Sequence, residues 1–197
     1  MPFDGLRVLS FESRRAGEMA VLIRNQKGEP IVAPSMREVP IEENQAAFTF
    51  AEGLFAGRFD MVILLTGVGT RYLDKVLATK YPPDAFAGKL RETTVIARGP
   101  KPMAVLREWN VPATMAPEPN TWRELLTIIE SVPARRVAVQ EYGKTNPDLT
   151  AGLIAQGREV TTVPVYQWAL PLDTEPLRQA GTGICQSRAC TSICNRG

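Results

Sequence analysis

Residues 61–65, Met-Val-Ile-Leu-Leu, form an unbroken apolar run that ends abruptly in Thr66, Gly67 and Gly69. Five residues are too few for a useful helix face and the run does not alternate, so it predicts a strand covered on both sides. Leu73, Val76 and Leu77 then return at helical spacing. Strand, glycine turn and helix make half of a βαβ unit, and ligands of sheets built this way sit outside the carboxyl ends of the strands. Thr66 and Gly67 are therefore candidate ligand contacts.

The rest of the chain repeats this plan. Residues 7–11 read as a first strand, followed by a helix with Ala16, Met19, Ala20 and Ile23 on one face and Gly28 placed to end it in a left-handed cap. Residues 30–34 predict a short second strand, and residues 35–41, punctuated by Pro34 and Pro40, an extended connection at a domain boundary. Ala47, Phe50, Ala51, Leu54 and Phe55 mark the helix that leads into the 59–73 unit. Past Pro82-Pro83-Asp84 come a short helix carrying Phe86 and Leu90, a strand at 93–97 and a turn at 98–102. Val105, Leu106 and Trp109 line the next helix, and residues 111–116 can form another strand. Thr121 and Glu124 make a capping box ahead of Trp122, Leu125 and Ile129. Residues 136–140 are a further buried strand, after which Asn146 and Pro147 open a helix that Gly157 ends. Residues 159–170 are extended, with Pro164 placing them at a sheet edge or at a bend between layers.

Composition narrows the function. The 23 Lys and Arg are interleaved with 21 Asp and Glu, and no run of five like charges occurs, so a nucleic-acid partner is not indicated. No apolar stretch approaches the roughly 18 residues needed to span a bilayer, and the first residues lack a basic region followed by a long apolar one; a cytoplasmic protein with no membrane partner is expected. The absence of histidine removes Ser-His-Asp and Cys-His nucleophiles and every zinc site that needs imidazole. Cys185, Cys190 and Cys194 all fall near the end of the chain at a spacing that matches no strong zinc or iron–sulfur pattern, so no metal or other cofactor is expected.

Counting from Arg7 and from Arg136 reveals an internal echo. Each segment begins Arg-Val, carries a glutamate (Glu12, Glu141) and later a glycine (Gly28, Gly157), and runs into a strand near a proline (Pro34, Pro164). The expectation is an α/β protein of two similar lobes.

The order of these units resembles the uroporphyrinogen-III synthase family, over residues 7–171. The likeness rests on the helix start at 15–23, Asp60-Met-Val-Ile-Leu-Leu-Thr66-Gly67, Val95-Ile-Ala-Arg-Gly99-Pro100-Lys101, Pro117-Glu118 before the capped helix, and Val165-Tyr166-Gln167. The resemblance implies mainly parallel sheets in two lobes joined by extended linkers, with the substrate held between them. By that analogy residues 1–38 are the amino-terminal part of lobe 1, 39–165 are lobe 2 and 166–180 are the return linker. Family members then complete lobe 1, whereas from Gly181 onward this chain shows no helical or strand periodicity. Residues 181–197 are expected to be an aberrant, disordered tail at a truncated or frame-shifted terminus, leaving lobe 1 incomplete.

The family cyclises hydroxymethylbilane, a linear tetrapyrrole with eight carboxylates, losing water and inverting the last ring. The preceding pathway enzyme is the expected source of that substrate. Carboxylates can be met by backbone amides at helix starts. Thr66-Gly67, Gly99-Pro100-Lys101 and Tyr142-Gly143-Lys144 are three turns of this kind, expected on one rim because all follow strands. Tyr166 matches a family tyrosine; a phenol stays protonated at neutral pH and can donate to a departing hydroxyl. Two positions depart from the pattern: Gly67 stands where members usually have serine, and Pro102 where they usually have threonine. Two other readings compete with this one. A dinucleotide fingerprint at Gly67-Val-Gly69 is undercut by Tyr72 at the third glycine position and by the lack of an acidic residue at the end of a second strand about 20 residues on. A non-catalytic sensor binding a tetrapyrrole or small anion would need the same rim and no acid.

Overall fold

The computed structural model describes residues 2–40, 44–143, 145–186 and 191–192. The chain divides into two compact units, one formed by Met1–Val39 and Trp168–Gly197, the other by Pro40–Gln167.

The first unit opens with β1 (Arg7–Ser10), α1 (Ala16–Asn25), β2 (Glu29–Val32) and β3 (Arg37–Pro40). Helix α1 buries Ala20 and Ile23, two of the four residues that marked its face. Its end corrects the expected cap. Lys27 carries the positive φ of 58°, while Gly28 closes the turn by donating its amide to the Ile23 carbonyl at 2.9 Å. Glycine at position 28 answers a steric need: a Cβ there would lie 2.9 Å from Ile23 Cγ2 and 3.0 Å from the Phe3 ring.

The second unit begins with α2 (Gln45–Phe55), whose Asn44 cap accepts the Ala47 amide at 2.9 Å. It continues through β4 (Met61–Leu64), α3 (Gly67–Leu77), α4 (Ala85–Arg91), β5 (Thr94–Ala97) and α5 (Pro100–Glu108). Next come β6 (Thr114–Met115), α6 (Trp122–Ile129), β7 (Arg136–Glu141), α7 (Pro147–Ala155) and β8 (Glu159–Pro164). The expected turn at 98–102 is corrected. Gly99 is an N-cap and Pro100 the first residue of α5, a position that suits proline because its fixed φ is helical and the missing N–H has no intrahelical partner there. The capping box of Thr121 and Glu124 forms as expected.

All neighbours in the five-stranded sheet β6-β5-β4-β7-β8 are parallel. Strand β4 lies at its centre, which explains its unalternating sequence. Val62 and Leu64 face Phe50, Leu54, Leu73 and Leu106, whereas Met61 and Ile63 face Leu125, Ile129, Leu149 and Leu153. Burying a side chain of this kind contributes about 1.5–3 kcal/mol, so the centre of the sheet is the main store of stability in this unit. Arg158, a buried cation of this layer, donates to the carbonyls of Ile129, the last residue of α6, and of Val132 and Ala134 beyond it. Strand β8 is an edge, consistent with the Pro164 that ends it.

The chain then forms β9 (Tyr166–Ala169), which makes a two-stranded sheet with β3, and returns to the first unit through α8 (Glu175–Gln186) and β10 (Thr191–Ser192). The first unit's sheet has the order β10-β1-β2, again parallel. An irregular tail beginning at Gly181 is therefore corrected for residues 181–186 and 191–192; residues 187–190 and 193–197 lie outside the described residues. Leu177 and Ala180 pack against Leu9, Ala33 and Ile31, anchoring α8 before its glycines are reached. Among the described residues no helix is long and apolar enough to cross a membrane.

Candidate functional site

Strand order locates the site. From β4 the chain adds β5 and β6 on one side, then crosses over to add β7 and β8 on the other. The reversal falls at the carboxyl ends of β4 and β7, the usual ligand position in open parallel sheets. Thr66 and Gly67 follow β4, Gly99, Pro100 and Lys101 follow β5, and Tyr142 and Gly143 follow β7. These expected site residues thus come from the ends of three adjacent strands.

At the centre, Thr66 is the extended N-cap of α3. Its hydroxyl accepts the Gly69 amide at 3.0 Å and its carbonyl accepts the Thr70 amide at 3.0 Å. Of the first helical amides, those of Gly67 and Val68 precede these partners and have no acceptor among the described residues. The α5 start is different, because Pro100 and Pro102 have no N–H; Lys101 supplies the only amide among its first three residues. Lys101 is exposed and has no ion pair among the described residues.

Gly67 and Lys101 approach so closely that a Cβ on Gly67 would lie 2.7 Å from the Lys101 carbonyl oxygen. The two departures from the family pattern, at Gly67 and Pro102, therefore meet at one backbone contact. Gly69 is under a similar restriction: a Cβ would lie 2.2 Å from Gln140 Nε2.

Gln140, Glu141 and Arg98 also belong to this rim, though no sequence motif singled them out as contacts. Gln140 is buried, accepts the Thr66 amide on Oε1 at 3.3 Å and donates Nε2 to the Glu141 carbonyl at 2.5 Å, tying the ends of β4 and β7 together. A polar residue closing the run Val137-Ala138-Val139 was the available signal. Glu141 is 4% exposed, and burial holds its carboxyl above the usual carboxylate range, with the Asn146 amide opposing that shift. Arg98 lies with its guanidinium 4.9 Å from the Tyr142 ring centroid and donates Nη1 to the Tyr142 hydroxyl at 2.5 Å.

Two expected contacts sit differently from the rest. Gly143 takes a positive φ of 56° and its amide is already donated to the Tyr166 carbonyl at 3.0 Å. Tyr166 is only 2% exposed, with its ring edge-on to Tyr72 at 5.7 Å between centroids. Lys144 lies outside the described residues.

Comparison with known proteins bears on the identity of this arrangement. A family model described as Uroporphyrinogen-III synthase HemD matches residues 17–187. A Bacillus subtilis (strain 168) protein, called uncharacterized protein YjjA, is 29% identical over 172 residues, covering 85% of this chain and 62% of that protein. The chain thus spans less than two thirds of that curated relative's length. A mutant uroporphyrinogen III synthase from the extremely thermophilic bacterium Thermus thermophilus superposes with a TM-score of 0.71 at 25% identity, over 92% of this chain and 69% of that one. The wild-type enzyme from the same bacterium gives a TM-score of 0.60 at 26% identity, over 92% and 68%. With its sequence matched from residue 17 to residue 187 and its α/β fold shared with these structures, the chain belongs to the uroporphyrinogen-III synthase family.

Proposed function

We propose that the rim of the five-stranded sheet binds hydroxymethylbilane and that the chain cyclises it with inversion of the last ring and loss of water. One observation carries the reading: the start of α3 lies at the carboxyl end of β4, at the strand-order reversal, and packs against the first turn of α5, whose exposed Lys101 has no ion pair among the described residues. Free helix-start amides and a nearby cation favour anions, and a polycarboxylate substrate is what the family's chemistry presents. In this reading Thr66, Gly67, Gly99, Pro100, Lys101, Tyr142 and Gly143 form the binding rim. Gly143 contributes through the backbone shape it imposes, since its amide is already donated to Tyr166. The carbon–oxygen bond of the hydroxymethyl group breaks as the Tyr166 phenol gives its proton to the departing hydroxyl. Selecting ring closure at the disfavoured position is then a matter of holding the chain coiled.

Incubating the full chain with hydroxymethylbilane and separating the type I and type III products by chromatography tests this. Excess type III is the expected result; a ratio equal to that of the uncatalysed reaction would refute catalysis. The deep burial of Tyr166 favours a second reading, a protein that binds a tetrapyrrole or small anion on the same rim without turning it over. Binding with an unchanged isomer ratio would select that alternative.

A further inference from the structure

Arg98 is held by a neutral side chain, that of Tyr142. Elsewhere in the same unit, Arg71 pairs with Glu108, Arg91 with Asp84 and Arg136 with Asp60, while the buried Arg158 is saturated by backbone carbonyls. Arg98 is half-buried and has no ion pair among the described residues; it lies on the Tyr142 ring and donates to its hydroxyl. The acidic residue that ends β7, Glu141, is itself buried and accepts the Asn146 amide.

The placement of the pair is as informative as its chemistry. Arg98 follows β5 and Tyr142 follows β7, and the strand between them is β4. Neighbouring strands are about 4.8 Å apart, so the arginine reaches across roughly 10 Å of sheet edge, over the point where β4 passes into Thr66 and Gly67. The backbone supports the reach, since the Arg98 amide donates to the Leu64 carbonyl at 3.0 Å. Ring stacking and one hydrogen bond fix the guanidinium plane while leaving most of its five N–H donors uncommitted. The Tyr142 hydroxyl, having accepted from Arg98, keeps its own proton to donate. A planar, half-desolvated fork with free donors and no counterion among the described residues fits a carboxylate bidentately.

We propose that Arg98, oriented by Tyr142, is a specificity-determining residue that pairs with one carboxylate of a tetrapyrrole polyacid above the end of β4. This rests on the tetrapyrrole reading above and adds a charged, orientation-setting contact to the neutral amides of the rim. A lysine offers only a point charge, whereas Arg98 recognises direction, because the fork accepts a carboxylate only in its own plane.

The test uses the full chain and two stable probes, the octacarboxylate uroporphyrin I and its octamethyl ester, with binding followed by tryptophan fluorescence quenching. The wild type is expected to bind the acid and not the ester. Arg98→Met should weaken binding of the acid about tenfold or more and flatten its dependence on salt. Arg98→Lys should restore part of the affinity, and Tyr142→Phe should give an intermediate loss. Wild-type affinity and salt dependence in Arg98→Met would overturn the assignment while leaving the tetrapyrrole reading intact. A wild type that binds neither probe would overturn that reading, and the role of Arg98 with it. If circular dichroism shows that Arg98→Met does not fold, Arg98→Gln decides in its place, since it keeps most of the side-chain length and loses the charge; unchanged binding there is again fatal.

Discussion

A side chain on Gly67 would place its Cβ 2.7 Å from the carbonyl oxygen of Lys101, a backbone atom that cannot swing aside. The start of α3 and the first turn of α5 are therefore spaced by the absence of a side chain. Gly67→Ala is expected to destabilise the protein by about 1–3 kcal/mol, the usual range for overpacking. Gly88→Ala is the control, because α4 leaves its Cβ 3.9 Å from the nearest atom, an Arg91 terminal nitrogen. It should stabilise by about 0.5–1 kcal/mol through helix propensity alone. Urea denaturation of both variants measures the contrast, and equal midpoints would mean that the two helices do not constrain each other at Gly67.

At the opposite end of the sheet, Asp60 holds the start of β7. Its carboxylate accepts the Arg135 and Arg136 amides at 3.1 and 2.8 Å and an Arg136 guanidinium nitrogen at 2.5 Å. The Arg136 hydrogen bonds depress its pKa from 3.8 to about 2. A depressed carboxylate stabilises the fold fully above its unfolded value and loses that contribution as pH falls through the folded one. With Arg136 44% exposed, solvent screening reduces the effect to about 1 kcal/mol. Thermal melts from pH 5 to pH 2 should show wild-type stability declining toward that of Asp60→Asn, with the two curves meeting at the acid end; parallel curves would remove Asp60 from the acid transition.

Glu141 behaves in the opposite sense. Burial raises its pKa above 4.5, so ionising it in the folded state opposes stability, and the penalty appears as pH rises through the unfolded value toward the folded one. Glu141→Gln keeps an oxygen for the Asn146 amide and removes the buried charge. The variant should melt higher than wild type at pH 7 and converge with it below about pH 4, where the native carboxyl is protonated in both states. A variant less stable than wild type at pH 7 would mean that the charge itself is needed to hold the Asn146 turn.

How far these features could be read in advance depended on the range of the interaction involved. The apolar run of β4, the Thr121 capping box and Pro147 in the first turn of α7 are local signals, and they form as expected. The echo between the segments starting at Arg7 and Arg136 also survives in part. Both arginines begin strands, and Glu12 accepts the Arg14 and Arg15 amides much as Glu141 accepts that of Asn146. It fails at the glycines, where Gly157 has a φ of +79° while the matching left-handed residue in the first segment is Lys27. Crowding from Ile23 and Phe3, invisible to pattern reading, decides what stands at position 28. Helix α8 runs through Gly181 and Gly183 because Leu177 and Ala180 already anchor it, and extension costs far less than nucleation. The contact of Arg98 with Tyr142 depends on β4 lying between β5 and β7, an ordering that no local motif encodes.

Tyr166→Phe separates the catalytic reading from the binding one. The ring packs edge-on against Tyr72 within the second unit's core, and phenylalanine preserves that shape, so the thermal midpoint should shift by no more than a few degrees. If the phenol protonates the departing hydroxyl, removing it should slow type III formation by about 10²–10⁴-fold, the usual contribution of a positioned general acid. The affinity for uroporphyrin I, which has no hydroxyl to expel, should stay unchanged. A variant that forms type III product at the wild-type rate would exclude Tyr166 as the acid, and ring closure would then depend on how the rim positions the chain. A parallel loss of rate and affinity would instead mark Tyr166 as part of the packing that shapes the rim, since its carbonyl accepts the Gly143 amide and so fixes the turn after β7.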